Sequence, residues 1–338
     1  MIDYTKILLI NIDINRLINH PSLEFKTEVS EKTGELSSKK IAEYHFCKIV
    51  IYDSGVVLFT GSIHKLWNSL CKIKAPNHKK VKQYRGFNGN LFTINNILKV
   101  RNHLSNLFNC PPEQMVFQNI EFGVNTTLLF NPQQYLKGLL YHKNILFEYK
   151  FRRNFAQAPH QRYILKIYNK SSQYGMNKNV LRIELKITKI KELNEIGLKT
   201  FADVNGTILD KAKQMLLRRF DEVMHYDYSI DKNKLSARYK RLIRAYSNPR
   251  FWIDEIKPRY RDRHKKRLNE ITRNHSQNIA FQLRQNIIQK CVIINRSTQP
   301  SKCVTINSSS IGLIITQNTS SITNNKRELN RVTLISII

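Results

Sequence analysis

Residues 163–187 read YILKIYNKSSQYGMNKNVLRIELKI, in which two alternating apolar runs flank a polar turn. Alternation with a period of two is typical of a half-buried strand, so the stretch predicts a β-hairpin. Successive side chains of a strand point to opposite faces, which makes one face apolar and the other polar. The polar face is expected to carry Lys166, Tyr168, Lys170, Arg182, Glu184 and Lys186.

Tyr168 and Glu184 are expected at or near cross-strand positions on this face, among cations that suit a phosphate. A tyrosine oxygen can attack a phosphodiester when a divalent cation offsets the charge of the transition state. Because a free phenol has a pKa of about 10, the reaction needs a group that favours the phenolate. Lys166 and Lys170 are the candidates for that role or for binding the phosphate. Tyr163 and Tyr174 lie close to Tyr168 in sequence and are candidates for a rival or a second nucleophile.

Two phrases of the hairpin, IYNK at residues 167–170 and LRIELK at residues 181–186, resemble the nicking region of rolling-circle replication initiators. The resemblance is to staphylococcal-type plasmid Rep proteins and to the gene II group of filamentous phages, whose nucleophile is the tyrosine of this phrase. Three further segments resemble the phage branch in the same order, so the likeness spans roughly residues 43 to 250. These segments are GSIHKLWN at residues 61–68, NIEFGVN at residues 119–125 and LNEIGLKTFADV at residues 193–204.

The resemblance implies an enzyme that nicks and rejoins single-stranded DNA at an origin through a phosphotyrosine link. Such an enzyme is encoded by a phage or mobile element and binds both the origin duplex and the single strand. It works in the cytoplasm of a bacterial host, with the host helicase and polymerase as partners. Two other classes stay open: a non-catalytic accessory protein of replication or transcription that binds DNA, and a metal-dependent hydrolase that leaves no covalent product.

Mg²⁺ or Mn²⁺ is the expected cofactor, because such hard cations prefer oxygen ligands. Glu121 lies within NIEFGVN, where the family places an acidic residue, and Glu184 lies in the hairpin. The chain lacks the His-hydrophobic-His pair that binds metal in most relatives, so the predicted ligands are Glu121, Glu184 and His64. Without the family resemblance, Glu121 would be a solvated strand residue and His64 a surface or hydrogen-bonded histidine.

The net charge of +31 predicts a polyanionic partner. Nucleic acid is favoured over an anionic membrane, because no apolar run approaches the ~18 residues of a membrane span. The first residues lack the pattern of a signal peptide. The five cysteines are odd in number and scattered, which favours a reducing compartment over a disulfide framework.

Cations concentrate in a basic loop at residues 72–85 and at residues 229–295, where aromatic residues recur between them. This combination predicts a basic helical DNA-binding module in the second region, although a merely solvated charge run is the alternative in both. The predicted DNA-binding residues are Lys79, Lys80, Lys82, Arg85, Arg182, Lys240, Arg241, Arg244, Arg259, Arg261, Arg263, Lys265, Lys266 and Arg267.

The order of elements predicts an α+β fold with an antiparallel sheet and helices on one face, which is the fold of the HUH endonucleases that the resemblance implies. Residues 1–228 form the predicted nicking domain, 229–295 the DNA-binding module and 296–338 a poorly ordered tail. Predicted strands lie at 7–12, 23–29, 115–126 and 145–151. A further hairpin turns at residues 53–55, and its second strand carries His64. Residues 30–40 are a predicted loop, and predicted helices cover 94–108, 131–140 and 207–223.

Overall fold

The computed structural model describes residues 1–29, 33–79 and 86–296, and these belong to one compact unit. Within these residues, a ten-stranded antiparallel sheet organises the fold. Its strands are β1 (Ile2–Leu9), β2 (Phe25–Val29), β3 (Leu36–Tyr44), β4 (Cys47–Tyr52), β5 (Val57–Ser62), β6 (Met115–Thr127), β9 (Glu148–Lys150), β10 (Phe155–Pro159), β11 (Tyr163–Asn169) and β12 (Val180–Ile187). They lie across the sheet in the order β2-β3-β4-β5-β1-β6-β12-β11-β10-β9.

Helices cover the apolar face of this sheet, so the predicted α+β class with an antiparallel sheet is confirmed. Inward residues such as Ile120, Leu165 and Ile183 share one buried cluster with residues of α3, α6, α7 and α10. The helices are α1 (Ile14–Ile18), α2 (Ile63–Leu70), α3 (Ile94–Phe108), α4 (Pro132–Leu136), α5 (Lys170–Tyr174), α6 (Ile190–Ile196), α7 (Gly206–Asp221), α8 (Ala237–Tyr246), α9 (Pro258–His275) and α10 (Ile279–Arg296).

A second buried cluster lies under α8 and α9. It joins Tyr246, Trp252 and Leu268 to Tyr141 and Met224 of a small three-stranded sheet, whose strands are β7 (Leu139–His142), β8 (Ile145–Leu146) and β13 (Val223–His225). In contrast, α10 returns to the main cluster through residues such as Leu283 and Ile287. The helices after residue 229 therefore divide their packing between the two clusters.

Local sequence explains the best-predicted elements. The side chain of Thr93 accepts a hydrogen bond from the backbone of Asn96, and the Asn96 side chain bonds back to Thr93, which makes a capping box. The predicted helix after Thr93 is therefore confirmed. The predicted turn at residues 53–55 also joins two strands, β4 and β5, as expected.

One other local prediction was wrong, and two had the wrong bounds. The predicted loop at residues 30–40 overlaps β3, which pairs with both β2 and β4. The helix predicted for residues 131–140 ends at Leu136, because β7 begins at Leu139 to pair with β13. The strand predicted for residues 7–12 is β1, which begins at Ile2 and pairs with β5 and β6. Because β1 begins at Ile2, Asp3 lies inside the sheet.

Several predicted features lie outside the described residues. They are Lys80, Lys82, Arg85 and the tail at 296–338 apart from its first residue. Among the helices that the structure describes, none is both long enough and apolar enough to cross a membrane.

Candidate active site on the polar face of the sheet

Strand register brings the predicted hairpin residues together. Lys166 lies opposite Glu184, and Tyr168 lies opposite Arg182, in the pairing of β11 with β12. In the pairing of β12 with β6, Glu184 lies opposite Gly123 and Lys186 lies opposite Glu121. Because side chains alternate between faces, Tyr168, Glu184 and Glu121 share one face. The predicted polar face is therefore confirmed, although the turn of the hairpin contains the short helix α5.

Two carboxylates converge on one ammonium group at the centre of this face. Lys166 Nζ lies 2.7 Å from Glu121 Oε1 and 3.0 Å from Glu184 Oε1. Burial and the Glu184 carboxylate raise the pKa of Glu121 to about 8, although Lys166 acts in the opposite direction. Burial alone would raise the pKa of Glu184, but Arg182 and Lys166 outweigh burial and hold that pKa well below its usual range. Glu121 is therefore the weaker acid of the pair.

Tyr168 lies directly beside this pair, and its hydroxyl donates a hydrogen bond to Glu184 Oε2 at 3.2 Å. Its ring is half-buried and lies 5.4 Å from the ring of Phe155, which is its partner on β10. Burial and the Glu184 carboxylate raise the pKa of the Tyr168 phenol well above 10, while Arg182 acts in the opposite direction. The hydroxyl is therefore protonated in this arrangement.

Arg182 extends the charged network toward β1. Its Nε donates to Glu184 Oε2 at 2.6 Å and its Nη1 donates to Asn125 at 3.0 Å, while Nη2 forms an ion pair with Asp3 at 3.0 Å. The side chain is only 3 % exposed. Arg182 is a predicted DNA-binding residue, but its guanidinium is buried between the carboxylates of Asp3 and Glu184.

Gly123 makes room for this guanidinium. A Cβ atom at this position would lie 3.0 Å from Arg182 Nη2 and 2.8 Å from the carbonyl oxygen of Ile183. The Arg182 side chain thus fills the space beside Glu121 that the absence of a side chain at Gly123 leaves. Only a residue without a side chain permits this close approach.

Lys170 is buried on the same face, at the start of α5, and is 1 % exposed. The helix begins there because the side chain of Asn169 accepts a hydrogen bond from the backbone of Ser172. Lys170 Nζ lies 5.2 Å from the ring centre of Tyr168 and 5.1 Å from that of Tyr174. Burial and the nearby Arg182 lower the pKa of Lys170 to about 7, although Asp3 and Glu184 oppose the shift.

His64 does not join the two glutamates. It lies in the first turn of α2 rather than on the predicted strand, because Ser62 ends β5 and caps the helix. Its Nε2 is 2.7 Å from Asn90 Oδ1, and its ring stacks on Phe92 with centres 4.5 Å apart. Burial lowers the pKa of His64 to about 3, so the ring is neutral.

These positions decide which residues fit a divalent cation. Among the residues that the structure describes, no three His, Cys, Asp or Glu side chains are grouped to hold a metal. Glu121 and Glu184 do fit, because both already direct an oxygen at one positive charge, and hard cations prefer carboxylate oxygen. His64 is bonded to Asn90 instead and does not belong to this pair.

No protein-family model matches this chain, and no curated protein matches it either.

Asp3 belongs to the site but was not among the residues predicted from the sequence. It forms the ion pair with Arg182, and its two carboxylate oxygens accept hydrogen bonds from Ser62 and Asn88. Asn88 also accepts a hydrogen bond from the Tyr174 hydroxyl at 2.6 Å. Alternation did not reveal this position, because the register between β1 and β6 shifts between Ile2 and Thr5.

The rival tyrosines lie in different surroundings. Tyr163 is on β11 but on the opposite face from Tyr168, five positions away, where the Arg219 guanidinium lies 4.3 Å from its ring centre. Tyr174 is buried in α5 and is close to Lys170. Of the two, only Tyr174 belongs to the network around Tyr168.

The predicted DNA-binding cations outside the sheet are mostly on the surface. Lys240, Arg241 and Arg244 are exposed on α8, and Lys79 is exposed before the second gap in the described residues. On α9, Arg259, Arg263 and Lys266 are exposed, whereas Arg261, Lys265 and Arg267 are half-buried. Arg261 donates to Asn144, and Lys265 lies 3.6 Å from Asp262.

Proposed function

We propose that this protein is a rolling-circle replication initiator that nicks and rejoins single-stranded DNA. The observation that supports the proposal most strongly is the hydrogen bond from the Tyr168 hydroxyl to Glu184, whose other oxygen shares Lys166 with Glu121. A tyrosine oxygen thus lies beside two carboxylates suited to a hard cation. A chain with a net charge of +31 also suits a polyanionic substrate.

The proposed reaction is a transesterification. Tyr168 Oη forms a bond to phosphorus while the bond from phosphorus to the 3′-oxygen breaks, so the strand is cut and its 5′-phosphate becomes attached to Tyr168. A divalent cation bound by Glu121 and Glu184 would supply positive charge at the phosphate and favour the phenolate. The reverse reaction rejoins the strand.

Lys170 is the proposed proton carrier. Glu184 accepts the hydrogen bond of the phenol, but its strongly lowered pKa makes it a weak base. Lys170 has a pKa of about 7 and lies beside the Tyr168 ring, which matches the requirement that a general base titrate near the working pH. The phenol proton passes to the neutral Lys170 amine and from there to the departing 3′-oxygen. Lys166 holds the carboxylates in place before the cation binds.

The finer predictions belong to the same proposal. We infer that the sheet is of the HUH-endonuclease type and that residues 229–295 are a basic helical module that binds the origin duplex. Exposed cations on α8 and α9, with acids limited to Asp262 and Glu270 within these helices, support the second inference. A bacterial cytoplasm, a host helicase and a host polymerase are the corresponding setting and partners.

A covalent-adduct assay tests the proposal. The full chain is incubated with end-labelled single-stranded DNA and Mn²⁺, and the products are separated on a denaturing gel. We expect a protein–DNA adduct that Tyr168→Phe abolishes. Tyr163→Phe is the matched control, because it removes the same hydroxyl from the opposite face of the same strand. Glu121→Gln and Glu184→Gln should raise the Mn²⁺ concentration that cleavage requires.

A second candidate function is a DNA-binding accessory protein without catalysis. The observation in its favour is that Lys166 and Arg182 already compensate the carboxylates, while the pKa of Tyr168 is raised. This protein would bind DNA and form neither an adduct nor a cut strand. Cut DNA without any adduct, retained by Tyr168→Phe, would instead indicate a metal-dependent hydrolase.

A further inference from the structure

A turn of unusual backbone geometry lies between β9 and β10, near Tyr168. Three consecutive residues, Phe151, Arg152 and Arg153, have φ values of 52°, 53° and 63°. This left-handed region is unfavourable for residues with a side chain, and a run of three is uncommon. Such conformations concentrate at functional sites. In this turn, one aromatic and two cationic side chains are exposed next to one another.

Asn154 attaches this turn to the strand that carries Tyr168. Its backbone N–H and its side-chain amide both donate to the carbonyl oxygen of Phe151, at 3.1 Å and 3.2 Å. Its own carbonyl oxygen accepts from the backbone of Asn169, and its side-chain oxygen accepts from the Asn169 amide at 3.0 Å. Asn169 directly follows Tyr168, so the turn is fixed relative to the proposed nucleophile.

A row of aromatic rings connects the turn to the site. Phe151 is 76 % exposed, which is unusual for a phenylalanine. Its ring centre lies 6.2 Å from that of Phe155, and Phe155 lies 5.4 Å from Tyr168. An exposed aromatic face beside cations is the combination on which proteins stack the bases of single-stranded nucleic acid.

Arg152 and Arg153 of the turn also line a pocket of about 350 Å³. The residues that line it are Asn131, Gln133, Gln134, Lys137, Arg152 and Arg153. None of these described lining residues is acidic, and all of them can donate hydrogen bonds. Lys137 lies over the ring of Tyr228 and Arg153 lies near the ring of Tyr149, which limits the positions of both cations. Positive charge with amide donors suits a phosphate group.

We propose that the turn at residues 151–153 and this pocket form a subsite for the single strand that flanks the cleaved bond. A base stacks on Phe151, and the neighbouring phosphodiester is bound by Arg152, Arg153 and Lys137. The location of the cut strand at Tyr168 rests on the proposed function, but the binding itself does not depend on catalysis.

Fluorescence anisotropy with the full chain, without metal, tests the subsite. The probes are a labelled oligothymidylate and an abasic oligonucleotide of the same length, with inorganic phosphate as a competitor. Phe151→Ala should weaken binding of the oligothymidylate about fivefold or more, which corresponds to the low end of the free energy for stacking one base. Binding of the abasic strand should change by less than about twofold, because that strand has no base to stack. Arg152→Gln with Arg153→Gln should weaken both probes and lower the salt slope by about 0.7 for each lost phosphate contact.

The matched control is Lys189→Gln with Lys191→Gln, which removes two exposed charges at the opposite end of the hairpin from Tyr168. Phe151→Leu keeps an apolar side chain without a π-face and should behave like Phe151→Ala. The proposal would be overturned if the turn variants lost no more binding affinity than the lysine control does. Equal losses from Phe151→Ala on the two probes would also overturn it, as would the absence of any competition by inorganic phosphate.

The adduct assay on the same variants separates the two proposals. If the wild-type protein forms no adduct but Phe151→Ala still binds the oligothymidylate less tightly, the proposed nicking activity fails and the subsite stands. If adduct forms and the turn variants bind like the wild type, the subsite fails and the nicking activity stands.

Discussion

The cations of the polar sheet face and those of α8 and α9 have the same formal charge but opposite surroundings. Arg182, Lys170 and Lys166 are buried or half-buried, and acidic groups lie beside them. In contrast, Lys240, Arg241 and Arg244 are exposed on a helix that contains no acid. The net charge of +31 therefore includes two populations of cations. Only the exposed population is available to a long polyanion, whereas the buried one shapes the pKa values of the site.

The largest expected effect comes from removing a buried cation. Arg182→Gln leaves the carboxylates of Asp3 and Glu184 buried without their partner, and losing one partner of a buried ion pair typically costs about 3–5 kcal/mol. Urea unfolding followed by circular dichroism measures this loss. Arg263→Gln on α9 is the matched control, with an expected change of about 0.5 kcal/mol or less. A loss below about 1 kcal/mol for Arg182→Gln would contradict the comparison.

An intermediate effect should appear in the pH dependence of stability. The pKa of Glu121 is raised from its ordinary 4.5 to about 8 in the folded protein, so folding favours the protonated form. The associated stabilisation is complete below pH 4.5 and is lost as the pH rises through 8, by at most about 1.4 kcal/mol per pH unit. Because glutamine resembles the protonated carboxyl, the wild type should lose stability relative to Glu121→Gln between these limits.

The measurement is urea unfolding of both proteins at several pH values, and the difference between them isolates Glu121 from the other titrating groups. Glu43→Gln, at an exposed position on β3, is the control for the loss of a carboxylate from the surface. A difference between Glu121→Gln and the wild type that does not change with pH would show that the pKa of Glu121 is not raised.

The smallest effect on stability is expected on α8. Lys240→Gln, Arg241→Gln and Arg244→Gln should each change stability by about 0.5 kcal/mol or less, since their side chains are exposed. Together they should lower the salt slope of duplex binding by up to about 2.7 if all three contact phosphates. Anisotropy with labelled duplex DNA between 50 and 200 mM salt, roughly the range over which such contacts matter, measures the slope.

The control for α8 is the triple variant of Lys189, Lys191 and Lys199 to glutamine, which removes equal charge elsewhere on the surface. An unchanged slope in the α8 variant would place duplex binding on another surface. Removing residues after 229 is a poorer test, because α10 contributes Leu283 and Ile287 to the main core.

The elements that sequence predicted well are those with strong local signals. Alternation in β11 and β12 predicted which residues share a face, and Thr93 marked the start of α3. The strand β3 was missed because its residues LSSKKIAEY are largely polar, with little apolar alternation before Ala42. Its pairing with β2 and β4 determines its conformation, and that pairing is not local in sequence.

The candidate site was predictable in part for the same reason. Tyr168, Glu184 and Glu121 follow from strand alternation, which depends only on neighbouring residues. Asp3 and Arg182 form an ion pair across strands that are far apart in sequence, and alternation alone does not predict it. His64 was assigned to a strand because the helix cap at Ser62 was not recognised. Burial, which lowers the pKa of Lys170, likewise arises only from tertiary packing.

The most direct test of the central claim is to identify the residue that carries the DNA. Trypsin cleaves after Lys and Arg, so the three candidate tyrosines fall in separate peptides: YILK with Tyr163, IYNK with Tyr168 and SSQYGMNK with Tyr174. The adduct formed with Mn²⁺ is digested with nuclease and trypsin, and the peptides are analysed by mass spectrometry. The account predicts a residual nucleotide on IYNK. A nucleotide on YILK or SSQYGMNK, or cut DNA with no modified peptide, would contradict it.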